Sequence, residues 1–460
     1  AAILERERVN CTNSCGHGGI DSIASASLAT IERWIGALIS RSTAVQIKRT
    51  GGYETCSVTI FGQGGFDVED TVLGEAVGTR VVVNLEFPIH AAMKLLALVL
   101  VAWAFIGSAY GQTTANGVPA APGSLIFEDN FDKLDFSVWQ HEETMSGGGN
   151  WEFQVYDNSR TNSFTKDSIL HIKPTLTEDR YGAGFVTTGT LDLNGGAPAD
   201  ECTNPSFYGC QRGGGNTINP AMSARIRTVN SFSFKYGRVE VRAKMPTGDW
   251  LWPAIWLLPR HNAYGTWPAS GEIDLVESRG TLRLMQNGVN IGAEQAGQTL
   301  HWGPYWPYNG YGNTAWTKNT VPGYNTDFHR YQLEWTLDYL KFSIDDVETG
   351  RITPGAGGFW ELGTSTGAFP TTIENPWRFA SKMAPFDEEF YLIINLAVGG
   401  TNGFFPDDAV NEGGAPKPWA SSSSNALGDF WNGRAGWYPT WQAAGEDAAI
   451  QVDYVRVWAL

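Results

Sequence analysis

The chain has 460 residues, 42% of them apolar and 13% aromatic, so it can bury a sizeable core in one large domain or two modest ones. Charged residues make up only 17% and the formal net charge is −16. That balance argues against nucleic acid or an anionic membrane surface as partner, because both need clustered Lys and Arg, and it disfavours sulfated or otherwise anionic polymers.

Residues 1–92 show no sustained periodicity, and the first methionine is Met93. Met93 and Lys94, the apolar run 95–106 and the small residues Gly107, Ser108 and Ala109 follow the three-part layout of a secretory signal peptide. The run is shorter than the roughly 20 residues that span a bilayer. The expectation is therefore an upstream extension over 1–92 outside the mature protein, a signal peptide over 93–111, and one secreted domain over 112–460. No membrane association is expected after cleavage. Of five cysteines, Cys11, Cys15 and Cys56 fall upstream. Cys202 and Cys210 lie close together in a Gly- and Asn-rich stretch and read as a small disulfide loop, the alternative being two reduced buried thiols.

From Gln112 onward helical periodicity is scarce. Polar and apolar residues alternate over 238–245, 331–335, 341–344 and 450–458, between turns rich in Gly, Pro, Asn and Asp. Period two over such short runs predicts many antiparallel strands and an all-β sandwich in a single domain. One short helix is expected near 377–382. The Gly-rich runs at 147–150 and 213–216 lack the Lys-Ser/Thr of a phosphate loop and read as plain loops.

The most informative stretch is Ser270-Gly271-Glu272-Ile273-Asp274-Leu275-Val276-Glu277-Ser278. In a regular strand Glu272 and Asp274 share a face, while Glu277 points the other way. One extra residue, a β-bulge within Leu275-Val276, returns Glu277 to the acidic face. A structural strand gains little from aligning three like charges. Glycoside hydrolysis with retention needs paired carboxyls, one as nucleophile and one as acid/base.

This stretch follows Trp252-Pro253-Ala254-Ile255-Trp256 and precedes His301-Trp302-Gly303 and Asn395-Leu396-Ala397-Val398-Gly399-Gly400. Together with Phe127-Glu128-Asp129-Asn130-Phe131 and Tyr236-Gly237-Arg238-Val239-Glu240, the set resembles glycoside hydrolase family 16 over nearly the whole span 125–458, especially animal endo-β-1,3-glucanases and β-glucan-binding proteins. The resemblance implies a β-jelly-roll sandwich of two antiparallel sheets, the concanavalin A-like lectin/glucanase fold, with a cleft across the concave sheet. It implies Glu272 as nucleophile, Glu277 as acid/base and Asp274 between them, with Trp252 and Trp256 in the cleft. Trp267, His301 and Trp302 are further candidates for sugar contact, as are Asn158 and Arg225, with a structural salt bridge as the alternative for Arg225. Glu128 and Asp453 resemble ligands of a structural Ca²⁺, with ordinary surface carboxylates as the alternative. No cofactor is required for the chemistry.

The function these residues imply is a secreted, retaining endo-β-1,3-glucanase acting on laminarin-type glucan, with a β-glucan polysaccharide as partner and a monomeric state. The rival is a non-catalytic β-1,3-glucan recognition protein of innate immunity. Retention of all three acids favours the enzyme.

Overall fold

A computed structural model describes residues 43–49, 55–63, 80–88, 112–197 and 201–460. The signal-peptide expectation over 93–111 lies outside the described residues. The chain divides into two units, 1–108 and 109–460. In the first, Thr43–Arg49, Thr55–Gln63 and Arg80–Pro88 form a three-stranded antiparallel sheet. The sequence reading found no periodicity there, yet each strand carries β-branched residues that suit a pleated surface, such as Val58, Thr59 and Ile60.

The second unit is a sandwich of two large antiparallel sheets. One has eight strands in the order Val347–Ile352, Leu340–Ile344, His329–Trp335, Gly237–Lys244, Ile450–Trp458, Ile169–Ile172 and Ser163–Lys166, with Leu125–Asp129 also paired to Ile450–Trp458. Alternation explains these strands. In Gly237–Lys244, Val239, Val241 and Ala243 are fully buried while the residues between them face outward.

The other sheet has ten strands, and five carry the site. In chain order they are β1 (Arg225–Arg227), β2 (Leu251–Pro259), β3 (Glu272–Ser278), β4 (Gln295–His301) and β5 (Phe390–Val398). Their spatial order is β4-β3-β2-β5-β1. β5 is buried along its whole length, so it is the central strand, flanked by β2 and β1. The inner faces of both sheets meet in one apolar cluster that includes Val239, Leu333, Trp335, Ile255, Leu257, Ile273 and Ile394.

The helix expected near 377–382 is a series of turns. Helices form instead at Gly358–Thr366, Ala426–Asn432 and Arg434–Ala444. The last of these contains Gly436 and Pro439, which hide it from a propensity reading, but Trp437 and Trp441 stand one turn apart and both bury against the sandwich. Cys202 and Cys210 are joined by a disulfide. Among the described residues no helix is long and apolar enough to cross a membrane.

Candidate active site

The register between β3 and its neighbours decides where the acids point. Against β2, Glu277 faces Ala254 and Val276 faces Ile255, but Asp274, not Leu275, faces Trp256. Against β4, the partners of Asp274 and Glu277 are Thr299 and Gly297, so Leu275 and Val276 together oppose only Gln298. This is a β-bulge at Leu275-Val276. Because Ala254 and Trp256 share a face of β2, Glu277 and Asp274 share one too, and Glu272 joins them two residues earlier. Ile273, Leu275 and Val276 are fully buried and anchor the strand. Gln298 holds the distortion: its buried Nε2 donates to the Leu275 carbonyl at 2.9 Å, and its Oε1 accepts from Thr349.

Each carboxylate has a separate holder. Glu277 accepts from Trp252 Nε1 at 2.9 Å, and Glu272 from Trp267 Nε1 at 3.1 Å. Asp274 Oδ2 lies 3.2 Å from His301 Nε2, which is also 3.7 Å from Glu272 Oε1. His301 pairs directly with Glu272 in the ladder and thus faces the acids. Burial, reinforced by the charge of Glu272, pushes Asp274 well above the usual carboxylate range. Burial also raises Glu277; His301 and the Trp252 hydrogen bond oppose the rise, and Glu272 adds to it. For His301, burial acts downward, but the contact with Asp274 and the charges of Asp274, Glu272 and Glu277 outweigh it and push it up to about 10.

Asn309 acts against that second proton. Its Oδ1 accepts from the backbone N–H groups of Trp302 (3.3 Å) and Tyr311 (3.2 Å), which turns its Nδ2 toward His301 Nδ1 at 2.8 Å. A doubly protonated imidazole would point N–H at NH₂. The geometry therefore favours a proton on Nε2, which faces Asp274, and works against the rise that the carboxylates impose on the ring.

The aromatic candidates separate into different roles. Trp256 shares the acidic face, donates to Asn395 Oδ1 at 2.7 Å, and lies under the Arg225 guanidinium at 4.5 Å. Arg225 also pairs with the buried Glu142 at 3.3 Å, so it braces Trp256 from β1. Trp252 is corrected from sugar platform to carboxylate holder: only 6% exposed, it has Phe404 stacked on one face at 3.9 Å. Trp302 is likewise corrected. Adjacent positions in extended chain face opposite ways, so next to the cleft-facing His301 it turns into the core, where it is fully buried, packs on Phe359 and Phe369 and donates to Thr314. The exposed rings near Glu272 are Trp267 and Trp306, 5.7 Å apart. Asn158 accepts from Arg160 just beyond Gln154–Tyr156.

The two carboxylates that resemble calcium ligands each give one oxygen to an arginine: Glu128 Oε1 pairs with Arg456 at 2.8 Å and Asp453 Oδ2 with Arg242 at 2.5 Å. Among the described residues, the group with metal-ligand spacing is Glu272, Asp274 and His301. Gln298, Asn309, Phe404 and Trp306 escaped the sequence reading; the third Trp-Pro pair, at 306–307, echoing 252–253 and 267–268, was the one available signal.

Residues 209–356 match the family model for glycosyl hydrolases family 16. The chain is 54% identical to a beta-1,3-glucan-binding protein of Penaeus monodon over 73% of its own length and 90% of that protein. It is 36% identical to beta-1,3-glucan-binding protein 1 of Galleria mellonella over 74% of its length, spanning 64% of that longer relative. A solved laminarinase from Rhodothermus marinus matches at 25% identity with a TM-score of 0.44, over 74% of this chain and 98% of the other. The chain belongs to glycosyl hydrolase family 16, and its relatives include β-1,3-glucan-binding proteins.

Two predictions follow from this geometry. Gln298→Leu leaves the bulged Leu275 carbonyl unpaired and should cost about 1–3 kcal/mol in chemical denaturation; no loss of stability would mean the bulge does not depend on that bond. Asn309→Asp replaces a donor with an acceptor beside Nδ1, so ¹⁵N NMR should report a His301 midpoint above that of the unmodified protein. An unchanged midpoint would show that Asn309 does not set the tautomer.

Proposed function

We propose that this protein recognises β-1,3-glucan in a cleft along the acidic face of β3, between the exposed Trp267–Trp306 pair and the Trp252 edge. The observation that carries this reading is the convergence of three acids and exposed indoles on one wall, the mixture of polar groups and ring faces that sugar hydroxyls and C–H faces require. The names of relatives at 54% and 36% identity support binding over hydrolysis as the primary role, which reverses the order drawn from the retained acids alone. The disulfide is consistent with a secreted protein.

One specific observation favours a second reading, in which the bound chain is also cut. Glu272 and Glu277 arise from one strand, face the same way, and differ in their holders. In that reading Glu272 attacks the anomeric carbon while Glu277, kept protonated by burial and by the charge of Glu272, donates its proton to the leaving oxygen. Esterification removes the charge on Glu272, so Glu277 becomes more acidic. It then takes a proton from the water that hydrolyses the ester. Arg279, stacked at 4.0 Å on Phe404, adds a cation that favours the ionised form.

The two readings separate in one experiment. Calorimetry should show binding of laminarin and none of an α-linked glucan, and failure to bind laminarin would reject the proposal. If the second reading holds, the protein also releases reducing sugar, and Glu272→Gln lowers that rate by about 10³-fold or more while binding survives. Binding without release leaves recognition as the whole function.

A further inference from the structure

A pocket of about 740 Å³ lies off the carboxylates, between the disulfide loop and the segments around 146–153 and 401–427. Its rim carries Trp151, Phe207 and Tyr208, which are 54%, 49% and 79% exposed. Large rings so exposed gain nothing from the core. All three also hold left-handed backbone, with φ of 54°, 55° and 60°, a conformation that bulky side chains rarely adopt. The surrounding structure enforces it. The Cys202–Cys210 bond closes the loop. Arg212 donates to the Phe207 and Met145 carbonyls at 3.0 Å each, and Thr144 Oγ1 donates to the Asn204 carbonyl at 2.7 Å. Trp151 and Phe207 end with their rings 4.9 Å apart and inclined at 55°. Deeper in the pocket lies the buried Glu152, gripped by Asn150 and Gln154.

The pocket adjoins the acidic cleft. Gly400 stands between them: a methyl group there would meet the Asn150 carbonyl oxygen at 3.2 Å, Trp252 Cζ3 at 3.6 Å and Glu152 Cα at 3.8 Å. Trp252 holds Glu277 on one side of this wall, and Glu152 and Thr401 line the pocket on the other. Trp151, Phe207 and Tyr208 lie outside the span 209–356 that matches the family model.

We propose that this pocket is a second saccharide subsite, which takes a glucosyl unit of the same β-1,3-glucan chain beyond the Glu277 end of the cleft and so makes the protein select long chains over short ones. The rings supply faces for sugar C–H groups, and the carboxylate and amide groups behind them supply partners for hydroxyls. The inference rests on the glucan-binding reading above.

The test measures Kd by calorimetry for laminarin and for laminaritriose, using the full chain with Glu272→Gln as parent to prevent cleavage. Phe207→Ala and Tyr208→Ala, each made in that background, should weaken laminarin binding about 10-fold and leave the trisaccharide within about 2-fold. Phe207→Tyr should restore affinity for the polymer. Unchanged laminarin binding in both alanine variants would overturn the inference, as would equal losses on both ligands. If Phe207→Ala fails to fold, the more exposed Tyr208 decides the matter alone. A parent that binds neither ligand would defeat the glucan reading itself, and this inference with it.

Discussion

The site depends on a count of two residues against one. Leu275 and Val276 occupy the space across from Gln298, and that excess rotates the rest of β3 by half a pleat. Without it, Glu277 would enter the core beside Ile273 and leave a buried carboxylate unpaired. With it, three acids leave the sheet on one side while the apolar residues between them stay fully buried. The distortion exposes a backbone carbonyl inside the sandwich, and Gln298 satisfies that carbonyl from the neighbouring strand.

Crowding three carboxyls on one face creates an electrostatic problem that the surroundings divide among three donors. Trp252 and Trp267 each give one N–H to a glutamate, and His301 sits against Asp274. None of the indoles can lose its proton, so the two glutamates are held without being neutralised. Asp274 is the most buried of the three, and its Oδ2 lies 3.2 Å from His301 Nε2. The arrangement sets Glu272 and Glu277 on one wall with separate holders, which suits both a polar sugar-binding wall and a hydrolytic pair.

Much of this was legible in the sequence because it follows from period two. The acids at 272, 274 and 277 cannot share a face without an odd insertion, and the only apolar pair available to supply it was Leu275-Val276. The strand at 450–458 was read with the same ends that it has in the structure. Adjacency misleads where alternation rules: His301 and Trp302 read together as sugar contacts, yet neighbours in extended chain face opposite sides. Trp252 and Trp256 do share a face, but whether a ring meets sugar or another side chain depends on loops such as the one carrying Phe404. Gln298 and Asn309 act through register and through a turn, which no local pattern encodes. Glu128 and Asp453 carry their expected role by resemblance alone, and their arginine partners lie on neighbouring strands that are far away in sequence.

The direct test of convergence is electrostatic. If Glu272 and Glu277 face one another, removing the charge of one must change the proton affinity of the other. Site-specific ¹³C NMR titration of Glu277 should give a midpoint above that of an ordinary glutamate, and Glu272→Gln should lower it. A Glu277 midpoint that does not respond to Glu272→Gln would place the two carboxyls on separate sides of the sheet and contradict the account.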